Sequence, residues 1–153
     1  LLTGGNETTT SAISHALWNL LKFPEQMARL RADRSLLKNF VEETLRFETP
    51  VLGLARKTTR DVEVSGTPIP KDSLVVLTYA AANRDEDKFD DGERFDITRK
   101  NAGAQIAFGM GAHFCPGAML ARQEILSTFE ALLDRLDDIA LARPLPEDTH
   151  QRS

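Results

Sequence analysis

The residues best suited to chemistry gather in one short run, Phe108-Gly109-Met110-Gly111-Ala112-His113-Phe114-Cys115-Pro116-Gly117. Cys115 is the single cysteine, which excludes an internal disulfide, and one Cys with three scattered His is too few for a zinc site. As a thiolate it is either a nucleophile or an electron-donating metal ligand. Gly109 and Gly111 let the backbone turn tightly. Pro116 suits the first position of a helix, which places the sulfur at a helix N-terminus where backbone N–H groups and the dipole stabilise negative charge. A buried structural thiol is the bland alternative. A cysteine hydrolase with His113 as base is weaker, because an i, i+2 pair in a Gly-rich loop is poorly placed for activation and no orienting group is evident.

The run reads F-G-x-G-x-H-x-C-x-G and resembles the ligand loop of the cytochrome P-450 family in its common bacterial form. Six fixed positions match, which chance would produce in a chain this long with a probability on the order of one in a million. The resemblance implies haem b as cofactor, with Cys115 as the thiolate ligand to its iron and Phe108, Gly109, Gly111, His113 and Gly117 as cofactor-binding positions. Such a thiolate pushes electron density through iron onto dioxygen and favours O–O cleavage. His113 is then expected to reach a haem propionate, and Phe108 to pack beside the loop.

Other segments resemble the family in turn. Gly4-Gly5-Asn6-Glu7-Thr8-Thr9 is similar to its distal oxygen-binding motif, with Asn6 where His or another polar residue is usual. There Gly4 and Gly5 leave a notch for dioxygen, and Glu7 and Thr8 are the catalytic pair that holds water and delivers protons. Without the Cys motif, the same residues read as a Gly-Gly loop before an ordinary helix start. Glu43-Thr44-Leu45-Arg46 matches the E-x-x-R motif, whose i, i+3 spacing puts acid and base on one helical face. The resemblance implies a buried structural network with Arg94, which fixes geometry more than it adds stability. Gly92 stands where the family places Pro, so a less rigid loop is expected. Arg56 matches a propionate-binding Arg, with a solvent-facing strand residue as the alternative. Val51, Leu52 and Leu54 correspond to a substrate-pocket stretch, with simple core packing as the alternative. Asn83-Arg84-Asp85 and Leu120-Ala121-Arg122-Gln123-Glu124 also resemble family segments, in structural roles.

The elements that must position these residues follow from periodicity. Ile13, Leu17, Leu20 and Leu21 recur at helical spacing until Phe23-Pro24. Pro24 opens a second helix through Leu30, and Leu36, Leu37, Phe40, Val41 and Leu45 line a third that closes before Pro50. Val62 and Val64, the Ser65-Gly66 turn, Thr67 and Ile69, and Leu74 to Leu77 mark a small strand region. From Asn83 to Gln105 an irregular loop is expected, anchored by Phe89, Phe95 and Ile97. Met119, Leu120, Ile125, Leu126, Phe129, Leu132, Leu133 and Leu136 predict a long, largely buried helix. The expectation is a mostly α fold with a small β region (α+β), the C-terminal portion of the P-450 fold.

With 153 residues, 41% of them hydrophobic and 27% charged, the chain is an ordinary globular sequence. A net charge of -4 without a basic block argues against nucleic acid, and no membrane-length apolar run or leader pattern is present. The start, LLTGGNETTT, reads as the middle of something under way, so residues 1–153 are expected to be a single partial domain of a longer parent. It would run from the second half of the distal helix to just before the C-terminal strands, past Pro144-Leu145-Pro146, with the parent's N-terminal part absent. The helices carrying Leu17, Phe40 and Phe129 are expected to lack partners for their apolar faces. The resemblance implies a cytoplasmic monooxygenase that inserts one oxygen atom into a small, apolar organic substrate, with electrons from NAD(P)H through a ferredoxin and ferredoxin reductase. A peroxide-driven haem-thiolate enzyme and a truncated non-catalytic fragment are the alternatives.

Overall fold

The computed structural model describes residues 2–142. The helix expected from Ser11 begins earlier, as α1 (Leu2–Lys22), so Gly4-Gly5 lies within a helix and not in a loop before one. Phe23-Pro24 breaks it, and Pro24 opens α2 (Pro24–Ala32), since a missing N–H costs nothing in a first turn. Asp33 then accepts from the Ser35 amide at 2.9 Å, starting a 3-10 turn (Arg34–Leu36) that feeds α3 (Leu37–Phe47).

Four short strands follow: β1 (Leu54–Lys57), β2 (Val62–Val64), β3 (Thr67–Ile69) and β4 (Leu74–Leu77). Ser65 and Gly66 both have positive φ, as a two-residue hairpin turn requires, and close β2 on β3 with Val64 opposite Thr67. β1 pairs antiparallel with β4, Leu54 opposite Leu77 and Arg56 opposite Val75; periodicity did not mark this strand, which entered only as the alternative setting for Arg56. A single turn, α4 (Tyr79–Ala82), leads into the long irregular segment, where Phe89, Phe95 and Ile97 are all buried as expected. The final helix, α5 (Ala118–Arg135), is long but not largely buried. Only Ala118, Ile125, Phe129 and Leu133 are buried, with Leu126 and Leu132 packed partly against the core, while Met119 is 77% exposed.

Helices α1, α3 and α5 pack on one another around the core. Phe40 and Phe129 meet edge to face at 4.9 Å, and Phe23, Phe47 and Phe95 form an aromatic cluster beside them. The expectation that the faces of Leu17, Phe40 and Phe129 lack partners is therefore wrong: Phe40 and Phe129 are fully buried and Leu17 packs against the same core. Most of the exposed large apolar residues lie instead on or beside β1 and β4 and near the cysteine loop, with Trp18, Val64, Leu136 and Leu141 elsewhere. Among the described residues no helix is long and apolar enough to cross a membrane.

Candidate functional site

The cysteine loop is built on two glycines in the left-handed region, Gly109 at φ +72° and Gly111 at φ +71°. A 3-10 turn (Gly111–His113) leads on toward Cys115, and the Phe114 amide donates to the Gly111 carbonyl at 3.0 Å. The loop closes where the Cys115 amide donates to the Phe108 carbonyl, also at 3.0 Å. Pro116 is not the first helical residue. Pro116-Gly117 forms a turn, with the Ala118 amide on the Cys115 carbonyl at 3.3 Å, and Gly117 caps α5. Regular i to i−4 bonding starts with the Ala121 amide on Gly117, so the half-buried Cys115 sits a turn ahead of the helix. Its Sγ lies against Gly117, where an added Cβ would stand 3.8 Å from the sulfur.

The loop forms one wall of a cleft of about 300 Å3. α1 forms the opposite wall with Gly4, Gly5, Thr8, Thr9 and Ala12, whose spacings of three, four and eight keep them on one helical face. A Cβ on Gly4 or Gly5 would meet nothing within 4 Å, so these two positions leave an open notch. Thr8 holds its hydroxyl on the Gly4 carbonyl at 2.8 Å. Glu7 is exposed and does not line the cleft, because its position on α1 points away from that face. Val51 and Leu54 line it, whereas Leu52 is 68% exposed and lies outside. The backbone at Leu52 instead receives the Ala80 amide at 3.1 Å.

A second cleft, of about 290 Å3, adjoins the first through Tyr79 and His113, which line both. Arg56 lines this second space and reaches no carboxylate among the described residues. Tyr79 is nearly buried, and its hydroxyl lies close to Gly109. Sequence reasoning missed Tyr79, and placed Thr9 in the distal motif without giving it a role. Thr9 carried a readable signal, four residues after Gly5 on the same face, while Tyr79 sits in a helix too short to show a period.

Behind the loop, Glu43 and Arg46 are completely buried on α3 and pair in fork geometry, with Nε to Oε2 at 2.7 Å and Nη2 to Oε1 at 2.8 Å. Arg46 also donates to the carbonyls of Asn83, Gly92 and Arg94, so every N–H of its guanidinium is used. Arg94 is not the third side chain of this network. It contributes its carbonyl, while its guanidinium is 58% exposed and faces Asp96 at 3.9 Å. The third side chain is Arg99, whose Nε donates to Glu43 Oε1 at 3.2 Å, because the turn at Asp96 brings the chain back five residues later. Gly92 also has a packing reason: a Cβ there would collide with the Arg84 carbonyl oxygen. Asn83 and Arg84 prove structural, as expected: Asn83 ties Thr49 to the Ile106 amide, and Arg84 binds the Phe47 carbonyl and pairs with Glu93.

The family model for Cytochrome P450 matches residues 1–137. Cytochrome p450 CYP199A2 of Rhodopseudomonas palustris is 44% identical over 145 residues, which cover 95% of this chain and 35% of that protein. Cytochrome P450 monooxygenase PikC of Streptomyces venezuelae is 46% identical, over 92% of this chain and 34% of its own. Among solved structures, cytochrome P450 CYP109Q5 from Chondromyces apiculatus superposes with a TM-score of 0.87 at 49% identity, covering 92% of this chain and 36% of that one. The chain thus spans about a third of the length of these relatives.

Proposed function

The chain belongs to the cytochrome P450 family, and we propose that it supplies the haem-binding part of a monooxygenase of its relatives' length. The carrying observation is that Cys115 and the Gly4-Gly5 notch with Thr8 line the same cleft. The residues suit haem b. An apolar cleft with one thiol matches a macrocycle whose iron takes a sulfur ligand, and the adjoining space with Arg56 and His113 matches the acidic edge of that macrocycle. Among the described residues no cluster of three His, Cys, Asp or Glu competes as a metal site.

Cys115 would ligate the iron, with its amide fixed on Phe108 and its sulfur held beside Gly117. Arg56 and His113 would bind the propionates. Bound haem would supply dioxygen binding and reductive O–O cleavage. Thr8 places a hydroxyl at the cleft wall, where it would hold water and pass protons inward; Glu7, lying outside, would act only through solvent. Val51 and Leu54 would exclude water and favour a small, apolar organic substrate that receives one oxygen atom. Electrons would come from NAD(P)H through a ferredoxin and its reductase, in the cytoplasm. A peroxide-driven reaction is the second reading, favoured by the position of Glu7 outside the cleft.

The test uses the full-length protein. Its reduced carbonyl complex is expected to show the red-shifted Soret band of thiolate ligation, and Cys115→His to abolish it. A band that survives the substitution overturns the assignment.

A further inference from the structure

Glu42 precedes the buried Glu43 on α3 and lies outside the Glu43–Arg46–Arg99 network. Its carboxylate instead gathers both flanks of the cysteine loop. On the entry side, Gln105 Nε2 donates to Glu42 Oε2 at 3.0 Å, while the same Gln105 accepts the Ala107 amide at 2.6 Å. On the exit side, Arg122 of α5 grips the carboxylate through Nε to Oε1 and through Nη2 to Oε2 at 3.1 Å. The guanidinium of Arg122 then lies over the Phe108 ring, 4.5 Å from its centroid. Phe108 is the residue whose carbonyl receives the Cys115 amide.

We infer that Glu42 is a positioning residue for the thiolate, holding both ends of the loop and, through Arg122 on Phe108, the backbone acceptor that fixes Cys115. This rests on the haem reading above. An ion pair that only adds stability is the competing account: the side chains of Arg122 and Glu42 are 27% and 20% exposed, and a forked, part-buried pair contributes more than an isolated surface pair. A stability role moves the denaturation midpoint alone, whereas a positioning role also moves the ligation state of the sulfur.

The experiment uses the full-length haem protein with Glu42→Gln, Arg122→Leu, the double variant and Arg122→Lys. Four quantities are read: the denaturation midpoint, the fraction of the reduced carbonyl complex with the thiolate band, the rate of haem loss to a scavenging protein, and the reduction potential. Each single variant is expected to convert part of the band to that of a neutral thiol and to speed haem loss about tenfold. The double variant should match the singles, because they disable one unit. Arg122→Lys, which keeps the charge and loses the fork, should fall between and decides the matter if Arg122→Leu does not fold. Both single variants should raise the potential, since a loosened thiolate donates less to iron. Shifts of opposite sign would show a charge effect alone and overturn the inference. So would an unchanged band and haem-loss rate, or an equal change in Arg34→Leu, which removes a bond to the Leu133 carbonyl near the far end of α5. Absence of the thiolate band from the unsubstituted protein would overturn the haem reading itself, and this inference with it.

Discussion

Arg99 Nε reaches Glu43 Oε1 at 3.2 Å, the oxygen that Arg46 Nη2 also holds, so two guanidinium groups share one buried acid. Burial of an acid is costly unless its lone pairs are taken, and here the Asp96 amide also donates to Oε1, at 2.9 Å. Arg99→Ala should therefore destabilise by about 1–3 kcal/mol, and Arg46→Leu, which leaves Glu43 without its fork, by about 3–5 kcal/mol. Arg94→Ala should stay within about 0.5 kcal/mol, because its exposed side chain lies outside the network. Chemical denaturation of the three variants checks the order. A larger loss for Arg94→Ala than for Arg99→Ala would return Arg94 to the network as its third side chain.

Acid sensitivity should report the same turn. Burial pushes the Asp96 carboxyl up, but the Thr98 hydroxyl and amide, with the nearby charges of Arg94 and Arg29, outweigh it and hold the group below its ordinary value. A carboxyl depressed in the folded state stabilises fully above its unfolded value, and the gain disappears as pH falls through the lower, folded one. Stability should thus decline on the acid side of about pH 4. Asp96→Asn should be less stable at neutral pH and lose less on acidification. Parallel pH profiles for the variant and the unsubstituted protein would show that Asp96 plays no part.

Thr8 should matter for coupling and not for cofactor retention. Its side chain lines the cleft beside the Gly4-Gly5 notch, and its hydroxyl bonds to its own helix, at Gly4. In the full-length protein, Thr8→Ala is expected to keep the haem spectrum and to divert reducing equivalents to peroxide. Glu7→Gln should do so more weakly, given its position outside the cleft. The ratio of product formed to NAD(P)H consumed measures both. Unchanged coupling in Thr8→Ala would favour the peroxide-driven reading.

What could be read from the sequence was what lies close along the chain. The cysteine loop is contiguous, so residue order alone placed its glycines, His113 and Cys115 together, and Glu43 with Arg46 needed only one helical turn. Contacts made across long separations were not readable. Arg94 and Arg99 are equally plausible partners for Glu43 until the turn at Asp96 is known, and the partners of Glu42 stand 63 and 80 residues away. β1 escaped notice because Leu-Ala-Arg-Lys has no alternation and gains its identity from pairing with β4. The burial of α5 was overestimated because apolar residues occur around most of the helix, yet Met119 and Leu120 point away from the core, Leu120 toward the cleft. Leu52 lies outside the cleft for another reason: the resemblance marked the whole stretch Val51, Leu52 and Leu54 as pocket lining, and the backbone path turns the middle residue outward.

The 153-residue chain by itself should fold yet hold haem poorly. Its helical core is well closed, with Phe40, Phe95 and Phe129 almost wholly buried, so the chain should show cooperative helical structure. The clefts are less well served, because Leu54 and Leu77, opposite each other on the β1–β4 sheet, line them yet stay exposed, and Leu74 and Val76 are exposed on the sheet's other face. Apolar residues exposed together on a small sheet favour self-association, and an open wall leaves a bound macrocycle in contact with water. Haem added to the chain should therefore bind weakly, with a heterogeneous spectrum, and turnover with a ferredoxin system should be absent. Titration followed by absorbance, with sedimentation to detect self-association, makes the measurement. Stoichiometric uptake with a sharp thiolate band in a monomer would show that the Cys115 loop, α1 and the Arg56 corner are enough to enclose the cofactor.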